Sequence, residues 1–286
     1  MFKSSVRVLF AVLLCAVVAV FPTLAETNNS LDDGFEWPFL ENGDTVEASF
    51  ETGHDSQIYA FVASANDRVT IRMAQVPDDS PLDPLLIVLG MDGAVVAYDD
   101  DGGANPYFSA LIDGFIVPED GLYLIIATHK EGPRFPLAEV IGESALAGGL
   151  DYTLSINGIT PPTDFELDDA TLPGLIASVG ERVLVEISAE SAVAFVTFEA
   201  RDGQTLTLET DDPGDGVDTI LLLFDAAGRR IGINDDAPGI GMLSRLEIDI
   251  EDDGLYLAMV TAYLYERTAE SDFTWTQDGI TGLSIR

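Results

Sequence analysis

Glu119-Asp120-Gly121-Leu122-Tyr123-Leu124 returns later in the chain as Asp252-Asp253-Gly254-Leu255-Tyr256-Leu257, displaced by 133 positions. Other stretches return in the same order. Asp83-Pro84-Leu85-Leu86 matches Asp218-Thr219-Ile220-Leu221 at a displacement of 135, where Gly93 also falls on Gly228 and Asp99-Asp100-Asp101 on Asn234-Asp235-Asp236. Upstream, Gly43, Phe61 and Val69-Thr70-Ile71 match Gly180, Phe198 and Leu206-Thr207-Leu208 at 137. Downstream, DYTLSINGIT (151–160) aligns with DFTWTQDGIT (272–281) at 121. Collinear matches whose spacing drifts in small steps are what a duplicated unit with loop insertions leaves behind. The largest step falls at Lys130 to Gly149, where the first copy carries extra residues. The paired prolines at 161 and 162 suit a short stiff linker, so the copies are read as residues 26–160 and 161–286.

Within each copy, short apolar runs alternate with turn signals. Ser56 to Ala63, Arg68 to Met73 and Gln204 to Glu209 follow a period of two, which is the signature of half-buried strands. Leu85 to Leu89 and Ile220 to Phe224 are instead continuously apolar, as strands buried on both faces are. Turns are marked at Met91-Asp92-Gly93, Asp120-Gly121, Asp202-Gly203, Ala227-Gly228 and Asp253-Gly254. No segment pairs a helical period with capping residues. The expected architecture is all-β: two tandem jelly-roll-like β-sandwich domains with roughly eight strands each. Tyr123 and Tyr256 are expected to pack in the core and to anchor a corner through a hydroxyl bond to backbone.

The first 25 residues have the layout of a secretory signal: Lys3 and Arg7, an apolar run from Val8 to Phe21, then small residues ending at Ala25. The run is short for a membrane span. Cys15, the chain's one cysteine, follows Leu14 and is trailed by further apolar residues, which argues against lipidation. The protein is therefore expected to be secreted or periplasmic and held by its core, or by bound ions, without disulfides. Fifty acidic residues against 13 basic ones leave a net charge of −37, which repels nucleic acid and anionic lipid. With 47% hydrophobic residues the chain is too apolar to be a disordered acidic tail.

The strongest candidates for a site are the recurring acidic clusters. Asp99, Asp100 and Asp101 in the first copy, and Asn234, Asp235 and Asp236 in the second, each stand at an expected strand end before a Gly- and Pro-containing loop. Asp83 and Asp218 begin the preceding strand in each copy and add a further oxygen if those strands are neighbours. Adjacent carboxylates repel, and an oxygen-seeking cation relieves the repulsion; irregular loops suit calcium better than zinc or magnesium. The alternative is a solvated acidic hairpin end. Asp211, Asp212 and Asp215 form another acidic loop in the second copy alone. His54 and His129 belong to no recognisable catalytic or zinc motif. Trp37-Pro38-Phe39, Tyr263 and Tyr265 either mark a binding face or close the edge of a core.

Taken in order, Gly43, Asp55 with Tyr59-Ala60-Phe61, Val69-Thr70-Ile71, Asp83-Pro84-Leu85-Leu86, Gly93, Asp99-Asp100, Gly121-Leu122-Tyr123 and Asp151-Tyr152 resemble the bacterial pre-peptidase C-terminal domain. The second copy resembles it through Asp218, Gly228, Asn234-Asp235-Asp236, Gly254-Leu255-Tyr256 and Asp272-Phe273, and departs with Ala192 and Val196 where Asp55 and Tyr59 align. The resemblance implies a β-sandwich appended to exported enzymes, with a part in secretion, substrate adhesion or spacing of a partner enzyme, and no catalytic domain is expected within these 286 residues. The expected function is that of an exported, non-catalytic accessory protein presenting its domains to a polymer, cell-surface component or partner enzyme. Two other readings stand beside it: a calcium-assisted extracellular hydrolase with a carboxylate-lined cleft, and a purely structural spacer or surface-layer component.

Overall fold

The computed structural model describes residues 37–52, 55–103, 108–130, 147–165, 172–188, 190–212, 214, 216–263, 267–269, 272–273 and 279–286. The signal-like segment with Cys15, His54, Asp215, Tyr265 and residues 131–146 of the long loop lie outside them. In the first half the strands are β1 (Thr45–Thr52), β2 (Ser56–Ala63), β3 (Arg68–Val76), β4 (Pro84–Gly90), β5 (Val95–Asp99), β6 (Ala110–Ile116), β7 (Gly121–His129) and β8 (Ala147–Asn157). They form two four-stranded antiparallel sheets, ordered β1-β8-β3-β6 and β2-β7-β4-β5. That is the order of a double-sheet jelly roll.

The second half contains β9 (Leu175–Ala177), β10 (Arg182–Ile187), β11 (Val193–Ala200), β12 (Thr205–Asp211), β13 (Thr219–Phe224), β14 (Arg230–Asn234), β15 (Arg245–Asp249), β16 (Gly254–Ala262), β17 (Arg267–Ala269), β18 (Asp272–Phe273) and β19 (Gly279–Ile285). Its sheets, β10-β19-β12-β15 and β14-β13-β16-β11-β9, repeat the first half's order, with β9 added in parallel on β11. The addition has a counterpart in the first half, a single parallel bridge between Phe39 and Ala60.

Register corrects one alignment made from sequence. Thr45 opposes Ser155 in the pair β1–β8, and its counterpart Arg182 opposes Ser284 in β10–β19. Leu154-Ser155-Ile156 therefore corresponds to Leu283-Ser284-Ile285, a displacement of 129, whereas Asp272-Phe273 lies in a separate two-stranded ribbon with β17. The Asp-aromatic-Thr match was a chance echo. What pairing preserves is the alternation that puts Leu154 and Ile156, like Leu283 and Ile285, into a core. The extra length of the first copy's long loop shrinks accordingly.

Three cores result where two sandwiches would need only two. One fills the first sandwich, with Tyr59, Phe61, Leu86, Val88, Tyr123 and Ile125; another fills the second, with Val196, Phe198, Leu221, Leu223, Tyr256 and Ala258. The third lies between the halves. There Ile58, Leu85, Ile87, Leu89, Leu124 and Ile126 meet Val193, Phe195, Ile220, Leu222, Phe224, Leu257 and Met259. Alternate residues of β4, β7, β13 and β16 thus serve different cores, and every residue of β4 and β13 is buried. Among the described residues, β1-β8-β3-β6, β2-β7-β4-β5, β14-β13-β16-β11-β9 and β10-β19-β12-β15 stack as four layers. Continuous apolar runs were expected to be strands buried on both faces, and the seam between the halves supplies the second face.

Backbone joins the halves at two sites of nearly equivalent position. The Ile58 amide donates to Gly228 O (2.8 Å), and the Val193 amide donates to Gly93 O (3.2 Å). Each half thus presses its β4–β5-type turn onto the start of the other half's β2-type strand, as in a two-fold interface. Gly93 has φ +82°, and a Cβ there would stand 1.7 Å from Val193 O. Trp37 is buried in the seam and its indole N–H reaches Asp225 O (3.3 Å), so this candidate aromatic closes a core. Gln57 Nε2 donates to Ala227 O (2.9 Å) and Arg230 Nη1 to Ser56 Oγ (3.2 Å) across the same seam. Burial pulls the Arg230 pKa down to about 10, against the opposing effect of Asp55, and leaves the guanidinium protonated at neutral pH.

Both tyrosines expected at corners are there: Tyr123 Oη donates to Glu119 O (2.9 Å) and Tyr256 Oη to Asp252 O (2.8 Å). Where Tyr59 of the first half gives way to Val196 in the second, its partner has changed too. Tyr59 and Tyr152 share a buried hydroxyl bond (2.9 Å), and Thr281 stands at the position of Tyr152.

Gly93→Ala and Gly203→Ala separate docking from local strain. Gly203 has φ +79° and open space around it, so alanine there is expected to cost about 1–2 kcal/mol of left-handed strain alone. Gly93→Ala adds a backbone clash across the seam and is expected to lower the urea midpoint further and to split the transition in two. Equal midpoints for the two variants would show that the seam yields.

Candidate functional site

β4 lies between β5 and β7, so the chain entering β4, the chain leaving β5 and the chain leaving β7 meet at one end of the sheet. This brings together Asp83, Asp99, Asp100, Asp101 and Lys130. Asp99 turns toward the backbone: its Oδ1 accepts the amides of Gly102 (2.7 Å) and Leu111 (2.7 Å), tying the end of β5 to β6. Asp100 and Asp101 both pair with the Lys130 ammonium. The Asp83 amide donates to His129 Nδ1 (2.8 Å), and its carbonyl accepts the Lys130 amide (2.7 Å). His129 is buried and holds the strand entrance through its unprotonated nitrogen.

The Asp83 carboxyl is different. Its Oδ1 is withdrawn from water without a hydrogen-bond partner. Burial, then the charge of Asp101, pushes its pKa up to about 6; Lys130 opposes this and Asp100 adds to it. Asp83 thus lies within electrostatic reach of Asp100, Asp101 and the Lys130 ammonium.

The second half has the same scaffold and other contacts. The buried Asp218 accepts the Tyr263 amide on its carbonyl (2.9 Å), as Asp83 does that of Lys130, so a half-buried tyrosine replaces the lysine. Asn234 Oδ1 accepts the Arg245 amide (2.9 Å), the counterpart of Asp99 with Leu111. Asp235 Oδ1 accepts the amide of Asp236. The recurrence of Asp99 and Asn234 thus has a backbone reason: one side-chain oxygen pins the strand that follows the loop. Asp211 pairs with Arg182, which holds its carboxyl below the usual range, and Asp212 caps its own turn through Gly214 (2.7 Å) and Gly216 (3.0 Å). Among the described residues, no three His, Cys, Asp or Glu side chains are grouped to hold a metal ion.

A second feature escaped the sequence reading. β9 and β10 are each an outer strand of one of the second half's two sheets, on the side opposite β14 and β15. They expose Leu175 (46%), Ile176 (54%) and Leu184 (52%), and Ile280 of the neighbouring β19 is 39% exposed. A cleft of about 290 Å³ opens beside them, walled by Met91, Leu175, Leu184, Val185, Val193 and Phe195, with Asp92 and Glu186 among its polar residues. Met91 and Asp92 come from the first half, so the cleft exists because the halves are docked. The corresponding outer strand of the first half, β1, shows solvent Thr45, Glu47, Ser49 and Glu51. Leu184 occupies the position of Glu47. Comparing the copies for differences as well as for matches would have singled it out.

No family model matches the chain. Three solved structures are similar to parts of it at low identity. The pre-peptidase C-terminal domain of a Bacillus anthracis collagenase is 12% identical over 40% of this chain and 94% of its own, with a TM-score of 0.30. A periplasmic inhibitor of g-type lysozyme from Aeromonas hydrophila is 17% identical over 43% of this chain and 96% of its own, with a TM-score of 0.27. A protein from Eubacterium rectale described as secreted is 12% identical over 80% of this chain and 68% of its own, with a TM-score of 0.24. The jelly-roll assignment rests on the strand order.

The raised pKa of Asp83 makes a signed prediction. A carboxyl whose folded pKa lies above its unfolded value opposes folding when it ionises, and the penalty vanishes as pH falls below the unfolded value. In chelator, Asp83→Asn is expected to raise the melting temperature at pH 8, with the gain shrinking through pH 6 and gone by about pH 4. A gain independent of pH would place its origin elsewhere.

Proposed function

We propose that the chain is an exported, non-catalytic accessory protein in which a signal at residues 1–25 precedes two units, 26–160 and 161–286, that act as one rigid β body. The observation that carries this reading is the exposed apolar edge of β9 and β10. Soluble domains seldom leave large aliphatic side chains together on an outer strand unless a partner covers them. The two broad apolar sheet faces cover each other in the seam, so contact with other molecules falls to the outward sheet faces, the edges and the loops. A surface of net charge −37 keeps such a body apart from nucleic acid and anionic lipid and favours neutral or basic partners.

The test is capture from washed cell envelope and secreted protein by the chain from residue 26 onward, compared with Leu184→Glu, which installs the first copy's residue. Retention by the unaltered chain, reduced at least tenfold by Leu184→Glu, is the expected outcome. Empty pull-downs from envelope, polysaccharide and protein fractions alike would remove the reading.

Calcium binding in the first half is a separate proposal, favoured by the orphaned Asp83 oxygen. Asp83, Asp100 and Asp101 are not grouped to hold an ion as they stand; they would have to close around one after Lys130 gives way, and the ion would then supply charge compensation at the strand ends. The fit in the second half is poorer, because Asn234 and Asp235 are engaged with backbone amides. Thermal unfolding in calcium against chelator, with sodium and magnesium controls, tests this. An ion at 100 times its dissociation constant stabilises by about 2.7 kcal/mol, a shift that Asp100→Ala should abolish. Identical curves in all four conditions would leave Lys130 as the cluster's own counter-ion.

A further inference from the structure

We infer that the β9–β10 edge binds an extended segment of a partner protein, one with apolar side chains at alternate positions and Lys or Arg beside them. This deepens the accessory-protein reading and rests on it. The edge supplies what strand addition needs. β10 is six residues long and lies outermost in its sheet, and among the described residues no strand pairs with its free side. Such a side offers backbone amides and carbonyls, so main-chain bonds give affinity while side-chain pockets at every second position give selectivity.

The size and lining of the cleft choose among occupants. About 290 Å³ lies at the lower end of ligand pockets, enough for an anchoring side chain and small for a drug-sized molecule. Leu175, Leu184, Val185 and Val193 make its walls aliphatic, and Phe195 is buried, so an exposed aromatic face for stacking on a sugar ring is missing among the lining residues. That disfavours a polysaccharide.

Charge selects the flanks. Asp92 and Glu186 stand at the cleft, while Arg182, the cation on the same strand, is already paired with Asp211. A second copy of this chain would bring its own net charge of −37 to the contact, so edge-to-edge self-association is repelled and a basic segment is attracted. The first half shows the contrast. At the position of Leu184 its outer strand carries Glu47, the kind of charge that protects an edge from pairing. The two copies thus differ at the centre of this edge: Glu47 in the first, and Leu184 between the exposed Arg182 and Glu186 in the second.

Selection from a display library of random linear peptides, using the chain from residue 26 onward, tests the inference. The expected consensus alternates aliphatic and polar residues with Lys or Arg close by. Binding of the selected peptide should weaken at least tenfold in Leu184→Glu and stay unchanged in Glu47→Gln, and it should slow amide exchange within residues 182–187. Enrichment that ignores Leu184→Glu, or no enrichment, overturns the inference. If envelope capture persists undiminished in Leu184→Glu, the accessory role stands and this edge is not its site. A dimer of the free chain that Leu184→Glu dissolves would make a second copy the occupant and overturn the basic partner.

Discussion

The apolar seam between the two inner sheets is the interaction on which the rest of the molecule depends. A jelly roll standing alone would present the outer face of β2-β7-β4-β5 to water, and here that face carries Ile58, Leu85, Ile87, Leu89, Leu124 and Ile126. At roughly 25 cal/mol per Å² of apolar area, leaving such a surface bare forfeits much of what a domain of this size gains by folding. The second half offers the matching face. Docking converts two outer faces into a third core, built from side-chain packing.

The seam also sets where function can reside. With the inner faces sealed, the remaining outlets are the outward faces of β1-β8-β3-β6 and β10-β19-β12-β15, the loop ends and the outer strands. Glycines at Gly93 and Gly228 let the turns approach the partner half's backbone, and that approach carries Met91 and Asp92 to the wall of a cleft otherwise built from the second half, around β9, β10 and β11. The cleft belongs to neither half alone. Divergence between the copies then decides its character: Leu184 where the first has Glu47, and β9 where the first has only the Phe39–Ala60 bridge. At the loop ends a comparable divergence sets Lys130 beside Asp100 and Asp101 in one half and Tyr263 beside Asp218 in the other.

Much of this was legible along the chain. Period-two alternation, the turn glycines and the recurring Gly-Leu-Tyr strands specify an all-β duplicated protein, because strand geometry puts successive side chains on opposite faces and tight turns favour Gly and Asp. The corner tyrosines were legible for a similar reason: a large side chain with a polar tip at a core strand's start has few backbone carbonyls within reach. The closing strand was not, because a short Asp-aromatic-Thr echo outweighed the Leu-Ser-Ile alternation that actually pairs. Proximity of Asp83 to Asp100 and Asp101 was legible as a condition on strand neighbours; the intrusion of Lys130 from the end of β7 was not.

The sequence by itself determined the strands, their repetition, the acidic surface and the positions able to turn, since each depends on residues near one another in the chain. Tertiary structure alone decided that the halves stack face to face, that Trp37 closes the seam, and that an aliphatic edge is left bare beside a cleft. Those outcomes depend on which apolar face meets which across long stretches of chain, and burial at that range has no local signature. Leu89, sealed in the seam on a central strand, and Leu184, facing water on an outer one, are the same side chain placed differently by the position of its strand in the sheet.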